Sequence, residues 1–107
     1  MNQNDDCPIA TTLDVIGGKW KVHILCVLMD GKMRTNEIRR EIPNITQKVL
    51  TQQLRQLEAD RIIHRTVYQE VPPKVEYTIS EYGKSLMQIM DELCEWGKDH
   101  QMKRLHD

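Results

Sequence analysis

The chain has 107 residues, 39% of them hydrophobic and 29% charged, which is the size and composition of one globular domain over 1–107. Fifteen Lys and Arg stand against sixteen Asp and Glu, a formal net charge of -1. That balance excludes a histone-like arm or a uniformly basic nucleic-acid coat, while a local basic patch stays open. No apolar stretch approaches the roughly 18 residues that span a bilayer, and the leading MNQNDDCP is acidic and polar, unlike a secretory signal. A cytoplasmic protein that makes no use of a membrane is expected.

Pro8 suits a helix first turn, and Ile9, Leu13 and Ile16 recur at helical spacing until Gly17-Gly18 stops them. Between Lys19 and Asp30, Trp20, Ile24, Leu25, Val27 and Leu28 cover most of a helix surface, marking a central, buried helix that Gly31 ends. A short helix runs from about Thr35, its expected N-cap, to Ile42, where Pro43 stops it. Pro43-Asn44-Ile45 makes a turn. Thr46 then caps a helix to about Asp60 with Leu50, Leu54 and Leu57 inward.

After Arg61 the period becomes alternating. Ile63 to Val71 and Val75 to Ile79 read as two strands joined through Pro72-Pro73-Lys74. Ser80 caps a last helix of about two dozen residues, with Leu86, Ile89, Met90, Leu93, Cys94 and Trp96 along one side. The predicted fold is mainly α with a small β-hairpin wing, in the order α-α-α-α-β-β-α. Two helices on a three-residue turn, followed by a hairpin, make a winged helix-turn-helix. The helix-turn-helix covers about 35–60 and the wing about 62–79.

With the three leucines inward, Lys48, Thr51, Gln52, Arg55 and Gln56 turn outward. Gln pairs with adenine, Arg with guanine, and Thr meets the thymine methyl, so Gln47, Lys48, Thr51, Gln52 and Arg55 are the candidate base readers on double-stranded DNA. Arg34, Thr35, Arg39, Arg40, Arg65 and Lys74 are the candidate backbone and wing contacts; Tyr68 reads equally as wing contact or as packing. From Arg34 to Ile79 eight basic residues face six acidic ones, a balance of +2 against -3 elsewhere. A protein-interaction module without specific DNA binding is the alternative, and the Gln/Thr/Arg face argues against it.

The last helix carries more apolar residues than a small domain needs. Ile9, Leu13, Leu86, Ile89, Met90, Leu93 and Trp96 are therefore the candidate homodimer interface, on dimerisation helices about 8–16 and 80–104. Trp20 and Trp96 read as structural. Cys7, Cys26 and Cys94 form no C-x-x-C pair, and the four histidines show no H-E-x-x-H spacing. No metal, no cofactor and no enzyme are expected. Cys26 and Cys94 read as small core residues. Cys7 stands at a helix N-terminus, whose positive end favours a thiolate, while Asp5 and Asp6 oppose that effect.

The segments C-P-I-A-T-T-L-D-V-I-G-G-K-W, R-T-N-E-I-R-R, I-T-Q-K-V-L-T-Q-Q-L-R-Q-L-E-A-D, R-T-V-Y-Q-E-V-P-P-K-V-E-Y-T-I-S and L-C-E-W-G, in that order from Cys7 to Gly97, resemble the HxlR-type transcriptional regulators. Cys26 departs from the pattern, as does Arg61, where the family often has glycine. The resemblance implies a bacterial, homodimeric winged-helix regulator related to the MarR group, acting on pseudo-palindromic operators. Some members respond through a cysteine near the N-terminus, which makes Cys7 the candidate redox sensor. A small molecule or an oxidant is the implied effector.

Overall fold

The computed structural model describes residues 7–106. Five helices and three strands follow in the order α1 (Pro8–Ile16), α2 (Lys19–Leu28), β1 (Met33–Arg34), α3 (Thr35–Glu41), α4 (Gln47–Ala59), β2 (Ile63–Tyr68), β3 (Lys74–Ile79) and α5 (Glu81–His106). The mainly helical winged helix-turn-helix expected from the sequence is what forms. It holds one strand more than the α-α-α-α-β-β-α order.

Helix boundaries follow local chemistry. Pro8 opens α1, where its missing N–H costs nothing. Gly18 at φ +84 turns the chain from α1 into α2, a conformation that a Cβ would penalise. α2 stops at Leu28, two residues before the expected Asp30. The Thr46 hydroxyl accepts the Val49 N–H at 3.2 Å and caps α4. Ser80 caps α5 by accepting the Gly83 N–H at 2.8 Å, and its own hydroxyl donates to the Arg61 carbonyl at 2.7 Å. That second bond fastens the start of α5 to the end of α4.

The core is one cluster in which Ile24, Leu25 and Leu28 of α2 meet Ile38 of α3 and Leu50, Leu54 and Leu57 of α4. Ile63 and Ile79 close it from the sheet, and Leu86 and Met90 from α5. α2 is buried on one side rather than all round. Cys26 is exposed, which corrects its reading as a core residue, and so is Cys94.

The sheet is antiparallel in the order β1-β3-β2. β2 pairs with β3 from Ile63↔Ile79 to Tyr68↔Lys74, so the strand stops at Tyr68 rather than Val71. The tip is therefore residues 69–73, and Lys74 belongs to β3 rather than to the turn. Proline offers no N–H to a ladder, which fits Pro72 and Pro73 outside it. β1, which the sequence pattern did not predict, adds Met33↔Tyr77 and Arg34↔Glu76 on the other edge.

Candidate nucleic-acid interface

Three elements converge on one surface. α3 leads into α4 through a turn at residues 42–46, and β1 ties the start of α3 to the wing strand β3. Between them lies an open groove of about 650 Å³, with Arg34, Arg39, Arg40 and Lys74 around Pro43 and Gln47. Its lining holds no carboxylate.

Local bonds fix the edges of this groove. The Arg34 N–H donates to Glu37 Oε1 at 2.8 Å, so Arg34 occupies the N-cap and Thr35 is the first helical residue. Thr35 is thus half-buried in α3 and is not its cap, which corrects the expected boundary by one residue. Arg39 Nη1 donates to Gln47 Oε1 at 3.5 Å, and Gln47 Nε2 donates to Thr51 Oγ1 at 3.3 Å. This chain of contacts joins the first helix of the pair to the first turn of the second.

Along α4, Gln47, Lys48, Gln52 and Arg55 are exposed and Thr51 is half-buried, while Leu50, Leu54 and Leu57 are buried. One face therefore holds the helix to the core, and the other presents amide, ammonium and guanidinium groups. Thirteen residues give α4 a length of about 20 Å at about 1.5 Å per residue, enough to lie along a major groove.

Not every candidate joins this surface. Strand alternation puts Arg65, which is opposite Tyr77, on the side of the sheet that Ile63 and Ile79 turn to the core. Lys74, Tyr68, Glu76 and Arg34 share the other side. Arg65 is thus separated from Lys74 and the groove. Asn36 lines the groove and Lys32 reaches the wing, and sequence reasoning missed both. Lys32 sits in the turn before a two-residue strand that no periodicity announces.

On the wing, Lys74 lies 4.9 Å above the Tyr68 ring and 3.6 Å from Glu76. Burial raises the proton affinity of the Glu76 carboxyl. The Tyr68 hydroxyl and the ammonium groups of Lys74 and Lys32 outweigh this and hold its pKa below the usual carboxylate value. The Glu76 carboxylate in turn raises the Tyr68 pKa.

On α1 and α5, Ile9, Leu13, Ile89, Leu93 and Trp96 are exposed. Leu86 and Met90 are instead buried in the protomer's own core, so they support this face without forming it. Trp96 is exposed and stacks on His100 at 4.9 Å, a surface position where the sequence reading had it structural. Trp20 is half-buried against the core.

Cys7 is exposed immediately before α1; Asp5 and Asp6 lie outside the described residues. Partial desolvation of the thiol raises the Cys26 pKa although the residue is exposed, with smaller contributions from Cys94 and Asp91. Among the described residues no group of three or more His, Cys, Asp or Glu is placed to hold a metal, and no helix is long and apolar enough to cross a membrane.

Known proteins place this architecture. Residues 15–105 match the family described as HxlR-like helix-turn-helix. The chain is 64% identical over 92 residues to the HTH-type transcriptional regulator YtcD of Bacillus subtilis (strain 168), covering 86% of this chain and 73% of that protein. The redox regulator HypR in its oxidised form superposes with a TM-score of 0.82 at 56% identity, over 87% of this chain and 96% of that one. A transcriptional regulator of MarR family from Enterococcus faecalis V583 superposes with a TM-score of 0.84 at 36% identity, over 100% of this chain and 96% of that one. The chain belongs to the HxlR family of helix-turn-helix transcriptional regulators, a DNA-binding family and not one of enzymes.

Proposed function

We propose that two copies of this chain bind a pseudo-palindromic operator and read its sequence through α4. The observation that carries the reading is one continuous surface. The exposed Lys48, Gln52 and Arg55 of α4 adjoin a groove with four cationic side chains and no carboxylate in its lining. In this reading α4 enters the major groove, where Arg55 and Gln52 meet base edges. Arg34, Arg39, Arg40 and Lys74 then hold the flanking phosphates, which set register and carry no sequence information themselves.

A homodimer accounts for the second surface. Ile9, Leu13, Ile89, Leu93 and Trp96 are exposed together with Met102 and Leu105 on a 26-residue α5. An isologous pairing of these faces places two recognition helices on one side of the duplex, about 34 Å apart. A redox response through Cys7 fits the same arrangement. Its exposure at the α1 N-terminus puts a thiol beside that face, and the similar HypR is a redox regulator.

The test separates base reading from charge. Arg55→Ala and Gln52→Ala should each cost about 1–3 kcal/mol on the preferred duplex and less on random duplex. Arg39→Ala should weaken both alike and lower the salt slope by about one. Equal losses on both duplexes for Arg55→Ala and Gln52→Ala would reassign them to the backbone. No loss on either would refute the recognition-helix reading.

A further inference from the structure

Glu76 is the one acidic residue among the three strands, and it stands where a phosphate-binding surface is least served by one. It occupies the middle of the polar side of the sheet, opposite Arg34 on β1 and Thr66 on β2. Lys32 Nζ is 3.9 Å from one carboxylate oxygen and Lys74 Nζ is 3.6 Å from the other. The Glu76 side chain is 11% exposed, whereas Lys74 and Lys32 are 29% and 67% exposed. A buried carboxylate is thus roofed by the ammonium groups that the wing offers to solvent. Its Oε1 is buried without a hydrogen-bond partner, a feature that calls for an explanation.

Lysine is a flexible point charge on a four-carbon stem, and fixing it for a phosphate costs rotamer entropy. Here Lys74 is held before any DNA arrives, by the Tyr68 ring on one side and the carboxylate on the other. An ammonium has three protons, so engaging Glu76 leaves donors for a phosphate.

We propose that Glu76 is a positioning residue for DNA binding, which with Tyr68 sets Lys74 and Lys32 in the arrangement that meets the phosphate backbone. The inference rests on the DNA-binding reading above. It makes a prediction opposite in sign to bare electrostatics. A negative charge beside a phosphate site repels the ligand, so its neutralisation should tighten binding if charge were its whole effect. A positioning carboxylate should weaken binding when neutralised.

The experiment measures affinity of the full chain for its selected duplex and for random duplex over a salt series. Wild type is compared with Glu76→Gln, Tyr68→Leu, Lys74→Ala and the Glu76→Gln/Lys74→Ala pair. Glu76→Gln should weaken binding to both duplexes by about five-fold, and Tyr68→Leu, which removes the ring and changes no charge, should act in the same direction. In the Lys74→Ala background the Glu76→Gln loss should shrink by half or more, because its main partner is gone.

Tighter or unchanged binding by Glu76→Gln overturns the proposal, as does a loss that Lys74→Ala leaves intact. If Glu76→Gln does not fold, Tyr68→Leu decides alone, and wild-type affinity in that variant overturns the proposal. Failure of wild type to bind any duplex would remove the DNA-binding reading itself, and the positioning role with it.

Discussion

Replacing Gly83 by alanine should loosen the junction that holds α5 to the DNA-reading half of the domain. Gly83 lies in the first turn of α5, over the three residues, 60–62, that link α4 to β2. A Cβ there would stand 2.2 Å from the Ile62 carbonyl oxygen and 3.1 Å from Ile79 Cγ2. Ordinary contacts of this kind are about 3.5 Å, so α5 must retreat by roughly 1 Å. The Ile62 carbonyl accepts the Ser80 N–H at 2.9 Å and the Ser80 hydroxyl at 3.1 Å, and the retreat strains both bonds.

Overpacking costs about 1–3 kcal/mol and each weakened hydrogen bond up to about 1 kcal/mol, while alanine in a helix returns about 0.5–1 kcal/mol. The net expectation is a loss centred on about 2 kcal/mol, or roughly 10 °C in Tm for a domain of this size. Thermal and urea denaturation followed by circular dichroism measure it, at one fixed protein concentration. A Gly83→Ala variant as stable as wild type would refute the argument that α5 is seated by direct contact with the Ile62 backbone.

Arg61 adopts φ 65, a conformation that costs a residue with a side chain about 1–2 kcal/mol, so Arg61→Gly should raise stability by about 0.5–1 kcal/mol; a loss in urea denaturation would show that the side chain has a holding role. Leu93 is 55% exposed in the protomer, so Leu93→Asp should leave the monomer folded while burying an unpaired carboxylate in any dimer. Light scattering should then find a folded monomer where wild type is a dimer, and a wild-type monomer that grips one half-site tightly would remove the dimer from the account. Oxidation or alkylation of Cys7 should change operator affinity several-fold, and Cys7→Ser should abolish the response. Equal responses from wild type and Cys7→Ser would move the signal elsewhere, such as the cavity of about 370 Å³ between α1 and α5 that Thr11, Val15, Asp60 and Tyr82 line.

What the sequence discloses of this fold is what local chemistry dictates. Thr46 and Ser80 announce their helices because a side-chain oxygen three residues before a free N–H is a local device. Leu50, Leu54 and Leu57 fix which way α4 faces, and so expose Lys48, Gln52 and Arg55. Long-range features are not disclosed in this way. β1 is two residues long and exists only because β3 lends it a partner. The exposure of Cys26 and Cys94 depends on which side of α2 and α5 the rest of the chain covers.

In α5, Leu86 and Met90 form one stripe and Ile89, Leu93 and Trp96 an adjacent one, and periodicity merges the two into a single broad face. Only packing shows that the first is core and the second is exposed. Glu76 is the same lesson at the surface. A lone acid in a strand carries no signal until the register sets Arg34, Lys32, Lys74 and Tyr68 around it.

Selection of bound duplexes from a random DNA pool by the full-length protein tests the central claim most directly. The account predicts enrichment of an inverted repeat whose half-sites are centred about 10–10.5 base pairs apart. Arg55→Ala, run in parallel, should relax the enriched bases within each half-site and leave their spacing unchanged. A pool with no enriched sequence, or one that Arg55→Ala and Gln52→Ala both reproduce unaltered, would contradict sequence reading by α4.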